Sequence, residues 1–136
     1  MDYITEDILA GELVPVLLGL SNETVETARR MYHTHNVVSH VFCEHVPLAT
    51  RISLCMKFHT VTHTSGDRLM VMALEDFASK YQNTDVLLYL IPCTEAYANL
   101  IWRNRTELES HFVIASRVEM ERVWFGSNTI KKEERV

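Results

Sequence analysis

A chain of 136 residues with 47% apolar and 23% charged side chains, 4 Gly and 3 Pro has the composition of one globular domain long enough to bury a core, which excludes disordered and fibrous classes. Its formal net charge of -5 repels phosphate backbones, so no nucleic acid is expected as a partner. No stretch reaches the roughly 20 apolar residues of a membrane helix, and Asp2, Glu6, Asp7 and Glu12 precede any apolar run, the reverse of a secretory signal; no membrane contact and a cytoplasmic location are expected.

Residues 1–13 read as an amino-terminal extension, 14–125 as the folded domain and 126–136 as a polar tail. Val14 to Leu18 is the first strand, and Gly19-Leu20-Ser21-Asn22 turns it into a helix that Ser21 or Asn22 caps, with Glu23 and Glu26 at its positive end. Val25, Ala28, Met31, Tyr32 and His35 line one face of that helix, and Asn36 stops it. Val37 to Cys43 forms the second strand, and Glu44 to Pro47 a loop. From Leu48 to Thr64, Ile52, Leu54, Met56, Phe58 and Val61 alternate as in a strand while Ala49 to Ser53 also suits a helical turn; a strand is assigned near Lys57 to Thr62. Ser65-Gly66-Asp67 is a turn. Leu69, Ala73, Phe77 and Tyr81 step by four, which predicts a helix from Asp67 to Tyr81 with Asp67 as its cap.

Val86 to Ile91 is an apolar run sized for a buried parallel strand. Pro92-Cys93-Thr94-Glu95 turns it into a helix marked by Ala96, Tyr97, Leu100, Ile101 and Leu108, and Phe112 to Ile114 resumes a strand. Ser116 caps a last helical turn with Val118, Met120 and Val123. About five alternations of strand and helix predict a three-layer α/β/α domain with a mostly parallel sheet of four to six strands.

The residues themselves declare little chemistry. The Gly19 turn lacks the G-x-G-x-x-G fingerprint, and no P-loop occurs. Seven histidines, His33, His35, His40, His45, His59, His63 and His111, show no recognised zinc spacing and read as exposed or hydrogen-bonded side chains, so no metal is expected. Cys43, Cys55 and Cys93 are odd in number and widely spaced, which fits reduced thiols. Cys93 has no partner of the C-x-x-C kind and reads as a packed turn residue, although a helix amino end lowers the pKa of a nearby thiol. Arg29, Arg30, Arg103 and Arg105 read as solvated helix faces, and no catalytic residue is assigned.

Three segments, PVLLGLSNETVETARRMYHTHNVVSHVF, LLYLIPCTEAYANLI and ELESHFVIASRVEMERVW, together resemble in their order the amino-terminal domain of bacterial ATP-grasp carboxylate–amine ligases, in the group similar to D-aspartate ligase. The likeness runs from Val14 to Trp124. It implies a Rossmann-like pre-ATP-grasp domain that packs on a larger ATP-grasp unit and helps hold a small carboxylate or amino acid. The family activates a carboxylate as an acyl-phosphate with ATP and Mg²⁺ and lets an amine attack. Carried over, its two turns fall on Gly19, Ser21 and Asn22 and on Cys93, Thr94 and Glu95. The family often has a second glycine and an acid in the first turn, where this chain has Leu20 and Ser21, and Gly-Asp after the cysteine, where it has Thr94-Glu95. After Trp124 the chain has only FGSNTIKKEERV, in which Lys131 and Lys132 do not replace an ATP clamp. The resemblance therefore implies no cofactor in this chain, no activity on its own, the ATP-grasp domain as the missing partner, and homodimerisation through the face that domain would cover. The competing reading is a free-standing module that binds an amino acid or a protein.

Overall fold

The computed structural model describes residues 13–47, 53–62, 66–116, 118, 119 and 122. Residues 1–12 of the amino-terminal extension, Ala49, Ile52, His63, Ser65 and the tail from Gly126 lie outside them, while Leu13, read as part of that extension, begins β1. The elements follow as β1 (Leu13–Leu18), α1 (Asn22–His35), β2 (Ser39–Cys43), β3 (Met56–Thr60), α2 (Arg68–Ser79), β4 (Leu87–Pro92), α3 (Glu95–Arg103), α4 (Arg105–Leu108) and β5 (Val113–Ile114). The five strands form one sheet, all parallel, in the order β3-β2-β1-β4-β5. The fold is α/β with helices on both faces. Among the described residues, no helix is long and apolar enough to cross a membrane.

Alternation along the strands divides the core in two. Leu13, Leu17, Val41, Cys43, Met56, Ile91 and Cys93 join Ala28 and Met31 of α1 on one face. Val16, Leu18, Phe42, Leu88 and Leu90 join Met70, Val71, Leu74 and Phe77 of α2, and Leu100, Ile101 and Leu108 of α3 and α4, on the other. Right-handed crossovers explain this distribution. The chain steps outward from β1 to β2 to β3 with its connections on the α1 face, where Val46 and Cys55 of the β2–β3 link pack. It then recrosses to β4 and β5, which carries α2, α3 and α4 to the opposite face.

Local chemistry sets most boundaries. Ser21 and Thr24 cap α1 reciprocally: the Ser21 hydroxyl accepts from Thr24 N–H and Thr24 Oγ1 accepts from Ser21 N–H. At the other end Asn36 takes the left-handed conformation, φ 58° and ψ 38°, and its N–H donates to Tyr32 O at 2.9 Å. Asparagine tolerates that geometry better than residues other than glycine. Asn36→Ala is therefore expected to cost about 1 kcal/mol, and Asn36→Gly to stay within about 0.5 kcal/mol of the parent, read as urea midpoints at constant m. Ser116 likewise caps a helical turn, accepting from Glu119 N–H while Glu119 Oε1 accepts from Ser116 N–H.

Two expectations need correcting. Asp67 does not cap α2 through its side chain. Its carboxylate is taken by Arg103, with Nε and Nη2 each at 2.9 Å, and by Asn104 Nδ2 at 2.8 Å. A bidentate guanidinium outcompetes one cap bond, and it ties the start of α2 to the end of α3. The helix expected to run on to Leu108 breaks at Asn104, whose amide also donates to Leu100 O at 2.8 Å, one turn back. A side chain that bonds its own helix competes with the backbone ladder. Arg103 is consequently an inter-helix tie rather than part of a merely solvated face.

Candidate functional site

The order β3-β2-β1-β4-β5 reverses direction between β1 and β4: the chain leaves β1 toward α1 on one face and β4 toward α3 on the other. In open parallel sheets such a switch point opens a crevice at the carboxyl ends of the strands. The two turns singled out in the sequence meet there. Cys93 N–H donates to Leu18 O at 2.9 Å, and the Ser21 hydroxyl donates to Cys93 O at 3.2 Å. Gly19 N–H donates to Phe42 O at 2.8 Å, and Thr24 Oγ1 donates to Gly19 O at 2.8 Å.

Gly19 is forced by two independent constraints. Its φ of +102° disfavours any side chain, and a Cβ added there would lie 2.8 Å from Tyr97 Cδ2 and 3.0 Å from Thr94 Cγ2. The Tyr97 side chain thus lies against Gly19 at the crevice between β1 and β4. Thr94 caps α3, its Oγ1 accepting from Tyr97 N–H at 3.2 Å, and that cap holds the first turn of α3 against the β1 turn. Burial, with the Glu44 carboxylate and Cys43 nearby, pushes the Tyr97 phenol above its usual pKa. Burial likewise pushes the Cys43 thiol up, against an opposing backbone hydrogen bond of His45.

Beside this contact, a groove of about 380 Å³ is lined by Leu20, Ser21, Asn22, Val25, His45 and Pro47, between the amino end of α1 and the β2–β3 link. Asn22 and His45 are exposed, while Leu20 and Val25 are half-buried and back the groove with apolar surface.

No family model, curated protein or solved structure matches this chain.

Of the six candidate residues, the fold bonds Ser21 to Cys93, sets Thr94 against Gly19, leaves Asn22 on the groove, and exposes Glu95 in the first turn of α3. The Ser21 hydroxyl is committed to α1 and β4, and Cys93 is buried with its thiol toward Ile91 O. Sequence reasoning missed Tyr97, His45 and Pro47. Tyr97 looked like one more apolar position of a helix, and the Thr-x-x-Tyr cap spacing was its only signal. Among the described residues, no group of three or more His, Cys, Asp or Glu side chains could hold a metal ion.

Proposed function

We propose that this chain is the substrate-side domain of an ATP-dependent carboxylate–amine ligase, holding a small carboxylate or amino acid in the groove at the amino end of α1. The observation that carries this reading is the groove's position: it opens at the carboxyl edge beside the switch point and takes in the first turn of a 14-residue helix. Such a turn presents backbone N–H groups and the positive end of the helix dipole, which together favour a carboxylate. Asn22 Nδ2 adds a neutral donor, the exposed His45 lines the same groove, and Leu20, Val25 and Pro47 suit a short side chain. The domain's part is binding and orientation; activation of the carboxylate by ATP is assigned to another domain. A free-standing amino-acid-binding module would use the same groove, and reading the codons on either side of these 136 separates the two.

Calorimetry with a panel of amino acids and dicarboxylates tests the binding step. The expected result is saturable heat for at least one of them, with Kd of about 1 mM or tighter, close to -4 kcal/mol. Asn22→Asp is expected to weaken binding at least about tenfold by placing a negative charge on the site. The same change favours the helix, because an acid suits the first turn, so stability should hold or rise slightly. Silence across the panel, or full binding by Asn22→Asp, would sink the reading.

A further inference from the structure

A second cluster of titratable groups lies on the opposite face of the sheet from the groove, where β2 and β3 meet the carboxyl half of α2. His40 on β2 brings Nδ1 to 3.0 Å from Nε2 of His59 on β3. The His59 ring stacks on Phe42, with centroids 4.4 Å apart and planes 7° apart. Phe77 of α2 meets both rings, at 4.8 Å from His40 and 5.4 Å from His59, and Tyr81 continues the cluster at 5.4 Å from Phe77.

The nitrogen separation leaves room for one proton between the rings, so one imidazole donates and the other accepts. The charged groups facing the pair come from both neighbouring elements. Lys57 on β3 and Lys80 at the end of α2 act on both histidines, and Asp76 of α2 lines a cavity of about 250 Å³ with His59, Phe77 and Lys80. Two ammonium groups against one carboxylate oppose further positive charge. The cavity gives water a way in.

We infer that the His40–His59 pair is a proton-operated latch that clamps the carboxyl half of α2 onto the β2–β3 edge while both rings are neutral and releases that edge when they are protonated. Burial first, then the neighbouring charges, holds His40 down at about 4 and lowers His59 as well. In the opened edge both rings return to the usual 6.5. The closed state therefore binds fewer protons than the open one between about pH 4 and 6.5, so the latch is at full strength above 6.5 and weakens as pH falls through that window. Among the described residues β3 is an edge strand bonded only to β2, whereas β1 and β4 are paired on both sides. Opening of this edge is a sub-global event that leaves the centre closed.

Amide hydrogen exchange from pH 7.5 to 5, corrected for intrinsic rates, tests the latch on the whole chain. Protection in β3 and in residues 74–79 is expected to fall by up to about a hundredfold per pH unit below 6.5, the limit for two protons, while β1 and β4 hold. His59→Gln keeps a polar partner for His40 and removes one titration, and should flatten the slope. Lys80→Glu, at an exposed position whose ammonium lies 5.9 Å from the centre of the Phe77 ring, should flatten it too, because the closed pair then takes a proton more easily. Protection that falls in step in β1 and β4, no fall in β3, a parent-like slope in Lys80→Glu, or imidazole resonances of this pair titrating at or above the usual value would each overturn the inference.

Discussion

Replacing Gly19 by alanine is expected to lower stability by about 2–5 kcal/mol, a large loss for removing nothing but a hydrogen. Two costs add. A non-glycine residue at φ +102° carries backbone strain of about 1–2 kcal/mol. A Cβ 2.8 Å from Tyr97 Cδ2 must push aside a ring on a capped helix, and overpacking of that kind costs about 1–3 kcal/mol. For a 136-residue domain the sum corresponds to a fall in Tm of about 7–17 °C. The two costs separate in a double-mutant cycle with Tyr97→Ala: the steric part should be recovered as a coupling of about 1 kcal/mol or more, and the backbone part should remain. If Gly19→Ala stays within about 0.5 kcal/mol of the parent, the contact between the β1 turn and α3 is not as described.

This substitution also bears on function. A glycine after the first strand of a parallel sheet invites the reading that backbone must approach a ligand. Here the close neighbour is Tyr97, supplied by the helix after β4. The glycine serves the junction of the two halves, and the open groove lies on the flank of α1, where Asn22 and His45 line it. Gly19→Ala should therefore reduce carboxylate binding only through stability, in contrast to Asn22→Asp, which should reduce binding while the fold holds.

What the sequence made legible follows from what periodicity and caps report. The first strand, α1 with Ser21 and Asn36 at its ends, and the β4–α3 unit could be placed because a buried run, a hydroxyl cap and a left-handed asparagine are local signals. The meeting of the Gly19 and Cys93 turns was not local. It depends on β1 and β4 being neighbours, which crossover handedness and the return of the chain after β3 decide together. Asp67 failed as a cap for the same reason, since its competitor Arg103 lies 36 positions away. The histidine pair was equally hidden. In the ladder His40 is opposite Lys57 and His59 is opposite Phe42, so the two rings meet on a diagonal that no sequence spacing reveals.

The position of β1 makes a final, quantitative claim. Leu17 is fully buried, and its Cα partners on both sides, Val41 of β2 and Ile91 of β4, carry side chains to the same face, over which Ala28 and Met31 of α1 lie. Truncating such a residue removes transfer free energy and leaves a cavity whose walls, two bonded strands and a helix, are poorly placed to collapse. Leu17→Ala is expected to cost about 3–5 kcal/mol, against a total of about 5–15 kcal/mol for a domain of ordinary stability. Leu87→Ala, the same chemistry on the first residue of β4 at 46% exposure, should cost less than about 1 kcal/mol. Both are read from denaturant midpoints at unchanged m, so that the comparison reports packing and not a changed unfolded state. Equal losses at the two positions would mean that β1 is not the central strand, and the switch point between β1 and β4 would go with it.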